Sequence, residues 1–458
     1  MSSEINQLNP IAAIATPIGE GGIAIIRVSG KDSILKVNEA FRGKDLIKQE
    51  SHTVHFGKII DKKGLPVDEV LVTLFLSPKS YTGEETIEIS CHGGVLVTQK
   101  VLETILALGI KSAVAGEFTQ RAFLNGKLDL DQAEAVADLI HAKSIKAVDA
   151  ANQQLEGRLG EHIKKFRQQI IDATAMIELE LDFIEEDVEF ANKEQLLKLL
   201  EDVESELSSL LETYETGRLV KDGVKTVLIG RPNAGKSTLL NTIVGSDRAI
   251  VTEIAGTTRD TIDVDWNYDG LLFKLIDTAG LRETEDIVEA EGVKRSQRAF
   301  EQADLVIYLK DLSHPFSEEE RKEIATFQKR AGETPFILIG TKADIEADQE
   351  WRTEFDVKIS ALKGDQISAL KKLLKDRALE NKHYDASSLL VTSSRHRDAL
   401  QKAKEQIQAA LKSLAMGMTG DFLSIDLRSA LNELGTITGE ITNEHILDSI
   451  FSRFCIGK

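Results

Sequence analysis

The period of the apolar positions changes three times along this chain. Up to about residue 118 the apolar residues come in short runs. "GGIAIIRVSG", "TVHFGKII", "EVLVTLFLS" and "TIEISCHGG" are rich in Ile, Val and Thr and bounded by Gly, Pro, Ser or Lys, as β-strands between turns are. "VLVTQKVLETILALG" (95–109) then places apolar residues at helical spacing and stops at Gly109, so residues 1–118 predict an α+β domain. From 119 to 217 nothing reads as a strand. Apolar residues recur every three to four positions, and no proline occurs from 119 through 231, which predicts long amphipathic helices with solvated charged faces. Over 218–383 the pattern alternates: "VKTVLIG", "KSTLLNTIV", "LLFKLIDTAG", "ADLVIYLKD", "EEERKEIATFQKRAG", "TPFILIGTKAD". Strand and helix in turn predict a mostly parallel sheet covered by helices on both faces. Helical spacing returns over 384–458, in "SRHRDALQKAKEQIQAALKSLA" and "DFLSIDLRSALNELGTI". The expected fold is therefore multidomain: an α+β N-terminal domain, a central all-α domain in two parts, and an α/β domain inserted between those parts.

Composition narrows the class. A chain of 458 residues with 42% hydrophobic residues can fill several cores, and two to four domains are expected. Its two cysteines, Cys91 and Cys455, fit no metal spacing and no disulfide framework, which suits a reducing cytoplasm. "MSSEINQLNP" lacks the basic and apolar regions of a secretion signal, and no apolar stretch is long enough to span a bilayer. A formal net charge of −19 argues against a surface that grips nucleic acid all over, but not against a local basic patch or a nucleic acid brought by a partner.

One motif points to chemistry. Gly230-Arg231-Pro232-Asn233-Ala234-Gly235-Lys236-Ser237 fits G-x-x-x-x-G-K-[ST] after a strand and at the start of a helix that continues with Thr238. Glycines let backbone N–H groups turn onto phosphates, Lys236 supplies a point charge and Ser237 an oxygen for Mg²⁺. Asp277-Thr278-Ala279-Gly280 follows a strand, with an acid for the Mg²⁺ shell and a glycine N–H for a γ-phosphate. "GTTRD" (256–260) supplies threonines that reach Mg²⁺ only with a γ-phosphate present, as a switch loop does. "GTKAD" (340–344) ends another strand, and Asp344 can accept the N1–H and N2–H₂ of guanine, a donor pair that adenine lacks. Lys342 accompanies it, and Ser360 and Ala361 in "SAL" close over the base. Four such stretches in order read as a GTP-binding domain. The base-reading motif is usually Asn-Lys-x-Asp, and here Thr341 replaces the Asn.

The residue after Asp-x-x-Gly is Leu281, which cannot orient water as a glutamine does there, and no arginine finger is evident. A monovalent cation held by Asn233 and by carbonyls of "VTEIAGTTRD" (251–260) could neutralise developing charge, with Thr252, Ile254 and Thr257 as candidate ligands. An acid in "LRETEDIVEAEG" could place the water, and Glu289 is the candidate. Composition alone reads these acids equally as a solvated loop.

GRPNAGKS, GTTRD, DTAGLR, the helical region split around the nucleotide domain and the terminal FCIGK together resemble the MnmE (TrmE) family of tRNA-modification GTPases. "ATPIGEGGIAIIRVSG", "SYTGEETIEISCHGG" and "GEFTQRAFLNGKLDLDQAEAVADLI" fit as well, so the resemblance covers essentially the whole chain. It implies a homodimer joined through an N-terminal domain that binds a 5-formyltetrahydrofolate-type one-carbon donor. It implies a flavin- and NADH-using partner of the MnmG (GidA) type, in a heterotetramer or larger complex. Together they would place an aminomethyl-type group, such as carboxymethylaminomethyl, at C5 of the wobble uridine of certain tRNAs. The amino donor is left open between ammonium and glycine, and tRNA is left open between this chain and chiefly the partner. The resemblance further implies nucleotide domains that dimerise across K⁺. By matching position, Asn233, Thr252, Ile254 and Thr257 take K⁺, and Ser237 and Thr258 take Mg²⁺. Glu289 orients water, Arg282 lies in the second switch, and Lys236 serves the phosphates. Arg27, Glu84, Lys127 and Lys458 take the folate positions: Arg and Lys suit its glutamate-tail carboxylates, and Glu84 suits the pterin donors. Without the resemblance each of these four is a surface charge. Cys455 reads either as a functional thiol or as a small buried hydrophobe, and Cys91-His92 as a turn at a strand end. A competing reading is a nucleotide switch for ribosome assembly or signalling, with hydrolysis only a timer.

Overall fold

The structure, a computed structural model, describes residues 9–182, 193–246, 263–277, 297–345, 355–380 and 388–458. It divides into two compact units: residues 1–140, 154–201 and 405–458 form one, and residues 141–153 and 202–404 the other.

In the first unit, strands β1 (Ile11–Ile14), β2 (Ile23–Ser29), β3 (Phe41–Gly43), β4 (Thr53–Ile60), β5 (Pro66–Phe75), β6 (Thr86–His92) and β7 (Lys111–Ser112) form one sheet, ordered β3-β4-β5-β6-β2-β1-β7. Neighbours are antiparallel except β1 and β7. Because successive side chains point to opposite faces, β5 buries Val70, Val72 and Leu74 and turns Leu71 outward. Phe56 of β4 stands opposite Leu71 and is exposed too. Gly57 is bare because the Phe41 ring lies against it; a Cβ there would come within 2.4 Å of that ring. The inner face packs Ile26, Val28, Ile87 and Ile89 against Val101 and Ile105 of helix Val95–Leu106.

The helical part of this unit contains Glu117–Leu124, Leu130–His141, Arg158–Asp182, Gly420–Thr438 and Glu444–Phe451. Ion pairs Arg428–Glu178 (2.6 Å) and Arg167–Glu440 (2.7 Å) show that helices 158–182 and 420–438 run antiparallel, since the position rises on one as it falls on the other. Leu130, Ala133 and Val136 share a small core with Ile450, Phe451 and Phe454.

In the second unit, β8 (Val224–Gly230), β9 (Asp263–Tyr268), β10 (Leu271–Asp277), β11 (Leu305–Asp311), β12 (Phe336–Thr341) and β13 (Val357–Lys358) are ordered β13-β12-β11-β8-β10-β9. All pairs are parallel except β9 with β10. Both faces are buried, which is why these strands read as unbroken apolar runs. Leu228, Phe273, Leu309 and Ile339 face one core, while Val227, Ile229, Val306 and Tyr308 face another. Helix Glu318–Ala331 is capped by Ser317, whose side chain accepts from the Glu320 N–H, and carries three acids in its first turn, where the positive end of the helix dipole favours them. Among the described residues no helix is long and apolar enough to cross a membrane.

Candidate functional site

The parallel topology brings the C-terminal ends of β8, β10, β11 and β12 to one edge, where open α/β sheets bind ligands. The loop 231–235 leaves β8 there, and helix Lys236–Ser246 begins directly after it. Gly230 (φ 155°), Asn233 (φ 62°) and Gly235 (φ 92°) have positive φ, so the loop curls tightly. A Cβ on Gly230 would lie 2.6 Å from the Leu309 carbonyl oxygen, so no side chain fits. Asn233 is exposed and left-handed, and asparagine tolerates that conformation better than most residues. Lys236 Nζ donates to the Gly230 carbonyl at 2.8 Å and points toward that of Arg231 at 3.4 Å. Ser237 and Thr238 lie exposed in the first turn of the helix.

Asp277, at the end of β10, is buried, and its Oδ1 has no hydrogen-bond partner among the described residues. Burial pushes its carboxyl up; the Lys236 ammonium nearby pulls it partly back. A buried carboxylate oxygen without a partner among the described residues, at the strand-end edge where the Ser237 hydroxyl stands at the start of its helix, fits a hard divalent cation such as Mg²⁺.

At the end of β12, Thr341 is buried, Lys342 is left-handed (φ 59°), and Lys342 Nζ pairs with Asp311 Oδ2 at 2.5 Å. Burial pushes the Asp311 carboxyl up, but hydrogen bonds from Lys342 and Ser313 outweigh that and hold it low. The Ser360 hydroxyl, then the backbone N–H of Asp344, hold the Asp344 carboxyl below the usual range, so it is a ready acceptor. Ala343 N–H donates to the Ile359 carbonyl at 3.0 Å, which joins the two base-side loops. The Thr242 hydroxyl, on the helix after the phosphate loop, donates to the Thr238 carbonyl at 2.8 Å and lies 3.0 Å from the Ala361 carbonyl, which shares it. Phosphate loop, Asp344, Ser360 and Ala361 are thereby brought to one place. Thr252, Ile254, Thr257, Thr258, Thr278, Ala279, Gly280, Arg282 and Glu289 lie outside the described residues.

The second cluster forms where the C-terminal tail meets the N-terminal sheet. Ile456 bridges Ala115, and Gly457 (φ 100°) lies so near β1 that a Cβ would fall 2.3 Å from the Ile14 carbonyl oxygen. Arg27, on β2, donates to Glu88 Oε1 at 2.8 and 3.0 Å and reaches the Gly457 carbonyl at 3.4 Å. Its guanidinium lies 5.4 Å from the Tyr81 ring centre and 5.8 Å from that of Phe118. Burial, then Arg27 nearby, lower the Lys458 pKa, while Glu88 opposes. Arg27 and Lys458 therefore come together at the tail. Glu84 instead accepts from Ser29 at 2.9 Å and from Arg121 at 3.3 Å, and Lys127 reaches the Pro78 carbonyl at 3.3 Å. Cys455 is exposed, so it is no buried hydrophobe; Cys91 is buried at its strand end, and His92 pairs with Asp68. The sequence reading missed Arg121, which links Glu84 to Glu117, as well as Glu88, Asp311 and Thr242. An arginine and a glutamate four residues apart on helix 117–124 were the available signal for Arg121; the other three depend on partners far away in the chain.

A phosphate loop between β8 and its helix, an acid ending β10 and a Lys-x-Asp loop ending β12 define a P-loop nucleotide-binding domain of the GTPase class. Family models described as "MnmE helical domain" and "GTP-binding protein TrmE N-terminus" match residues 130–455 and 10–127. The protein named tRNA modification GTPase MnmE in Salinibacter ruber is 46% identical over 461 residues, covering 99% of this chain and 100% of that protein. Those of Christiangramia forsetii and Cytophaga hutchinsonii are 44% and 43% identical, covering 98% and 99% of this chain and 99% and 98% of theirs. The chain belongs to the MnmE family of tRNA-modification GTPases.

Proposed function

We propose that the chain hydrolyses GTP at the loop 230–237 and that this hydrolysis serves addition of a carboxymethylaminomethyl or aminomethyl group to C5 of the wobble uridine of certain tRNAs. A flavoprotein of the MnmG (GidA) type is its partner, and a formyltetrahydrofolate-type donor supplies the carbon. The observation that carries the hydrolytic half is the buried Asp277 oxygen beside Lys236, which has no partner among the described residues. Ser237 and Thr258 would ligate Mg²⁺, with Asp277 in its surroundings; the metal supplies charge neutralisation on the phosphate oxygens. Lys236 holds the outer phosphates, Asp344 selects guanine, Glu289 orients the water, and Arg282 belongs to the second switch. Asn233, Thr252, Ile254 and Thr257 would hold K⁺.

Folate fits the tail cluster because Arg27 and Lys458 are two cations that share one acid, Glu88; a glutamate-tail carboxylate relieves their repulsion. Glu84 and Lys127 complete this proposed site, and Cys455 stands exposed beside Ile456 and Gly457. For the homodimer, the outer face of the N-terminal sheet suits a second copy of this chain, since it sets Val54, Phe56 and Leu71 in solvent, Phe56 at 64% exposure. The proposed domains are 1–118, 119–217, 218–383 and 384–458, in a cytoplasmic protein.

The test is GTP turnover in KCl against NaCl at matched ionic strength and several protein concentrations, for the natural chain and Asn233→Gly. Glycine keeps the left-handed backbone and removes only the amide. Turnover that rises with K⁺ and concentration in the natural chain, and loses its K⁺ response in Asn233→Gly, is expected. A cation-independent rate would overturn the K⁺ assignment.

A further inference from the structure

Thr341 occupies the place of the asparagine in Asn-Lys-x-Asp, and its side chain does not face solvent. The residue is 2% exposed. Its Oγ1 donates to the Ala234 carbonyl at 2.7 Å and lies 3.2 Å from the Lys310 carbonyl. A hydroxyl has one proton, so the shorter contact is the principal bond and Lys310 shares it. The bond joins the base-reading loop to the middle of the phosphate loop.

Ala234 stands between Asn233 and Gly235, both at positive φ. A peptide unit is planar and trans, so its C=O and the next N–H point in opposite directions. Holding the Ala234 carbonyl against Thr341 therefore turns the Gly235 N–H the other way, into the concavity where such a loop receives phosphate oxygens. The two loops are in van der Waals contact there: a Cβ on Gly235 would stand 3.8 Å from Thr341 Oγ1.

We propose that Thr341 is a positioning residue for phosphate binding, fixing the Ala234–Gly235 peptide plane by its hydroxyl. This rests on the reading of the loop as a GTP site. Guanine selection is then left to Asp344, and the two jobs of the Thr-Lys-Ala-Asp loop are separable. Thr341→Val keeps the shape and removes the donor, leaving a buried carbonyl unsatisfied. Affinity for GTP and GDP falls on the order of tenfold, because an unmet buried acceptor is worth about one to two powers of ten. Preference for GDP over IDP, which lacks the 2-amino group, stays unchanged. Thr341→Ala reproduces the loss without the branched side chain, and Thr341→Ser restores affinity.

The experiment measures dissociation constants of the full chain for GDP, GTP and IDP by equilibrium titration, with Asp344→Asn alongside. Loss in Val and Ala, recovery in Ser and a constant GDP-to-IDP ratio support the proposal. Natural affinity in Val or Ala overturns it, as does Ser binding no better than Ala. A collapsed GDP-to-IDP ratio in Val or Ala also overturns it, because the threonine would then act through the base. A natural chain that binds none of the three nucleotides, or an Asp344→Asn variant with unchanged GDP preference, would instead fail the GTP-site reading itself.

Discussion

Asp277 should cost the nucleotide-free chain stability, and Asp277→Asn should therefore raise stability while reducing activity. The side chain is 6% exposed and Oδ1 has no partner among the described residues. A buried polar group left unmet costs about 1–3 kcal/mol, and a charged one more. Asparagine keeps the shape and one unmet oxygen but removes the charge. Lys236 already offsets part of that charge, so a net gain of about 1 kcal/mol is expected. That corresponds to roughly 2–4 °C in the melting of a unit of 150–250 residues. The assay is thermal unfolding in EDTA without nucleotide. The sign with pH follows from the raised pKa. Protonation of an acid whose folded pKa is raised contributes stability below its unfolded pKa, and that contribution is lost as pH rises through the folded value. The advantage of Asp277→Asn is therefore full only above the raised folded value and shrinks as pH falls toward about 4, where the unfolded carboxyl also protonates. With Mg²⁺ and GTP the order reverses, because a contact to a charged group is worth about 1.5–3 kcal/mol, a loss of about ten- to a hundredfold in turnover. If Asp277→Asn melts below the natural chain in EDTA at pH 8, the carboxylate has favourable partners of its own and the Mg²⁺ argument loses its basis.

Two further outcomes are expected. Gly457→Ala forces a β-carbon into the Ile14 carbonyl at φ 100°; left-handed strain alone is about 1–2 kcal/mol, so release of Lys458 by carboxypeptidase B should quicken about tenfold, with little change in global melting, and an unchanged rate would show that these contacts do not hold the tail. Thr242→Val removes the hydroxyl shared between the Thr238 and Ala361 carbonyls and should weaken GDP binding about twofold through the base-side loop; affinity equal to the natural chain would show that the Ala361 loop holds its place unaided.

The parts legible in the sequence were those with local causes. β8, β11 and β12 read directly as strands because burial on both faces leaves no polar alternation, and the phosphate loop read directly because strand, glycines and helix are adjacent in the chain. β1 is four residues and β7 two, too short for any period to register, and they exist because the sheet edge pairs them. The family resemblance points to Arg27 in IIRVSG and to the terminal Lys458, but not to Glu88 between them. Their meeting depends on a tail that pairs with Ala115 from the opposite end of the chain. Thr341 was legible as an exception, yet its duty was not, since the carbonyl it binds belongs to another strand's loop.

Within the second unit the loops at the C-terminal ends of the strands brace one another. Thr341 and Thr242 tie the phosphate loop and its helix to the base-side loops, and the Ala343–Ile359 bond joins the base-side loops to each other. The residues proposed for the metal ions and water come mostly from two segments, 251–260 and 278–289. One ends just before β9 and the other begins just after β10, and these strands form a single antiparallel hairpin. Any contact to this hairpin bears on the placing of both strands. Residues 143–146, whose pattern reads as part of the helical domain, do grip it. Lys143 pairs with Asp265 at 2.7 Å, Asn267 donates to the Lys143 carbonyl at 2.9 Å, and the Lys146 N–H donates to the Gly270 carbonyl at 3.2 Å. Three polar contacts on one hairpin fix its edge more firmly than burial alone would, because each unmade bond at a half-buried backbone group is penalised. Residues 143–146 thus brace the β9–β10 hairpin from within the second unit itself.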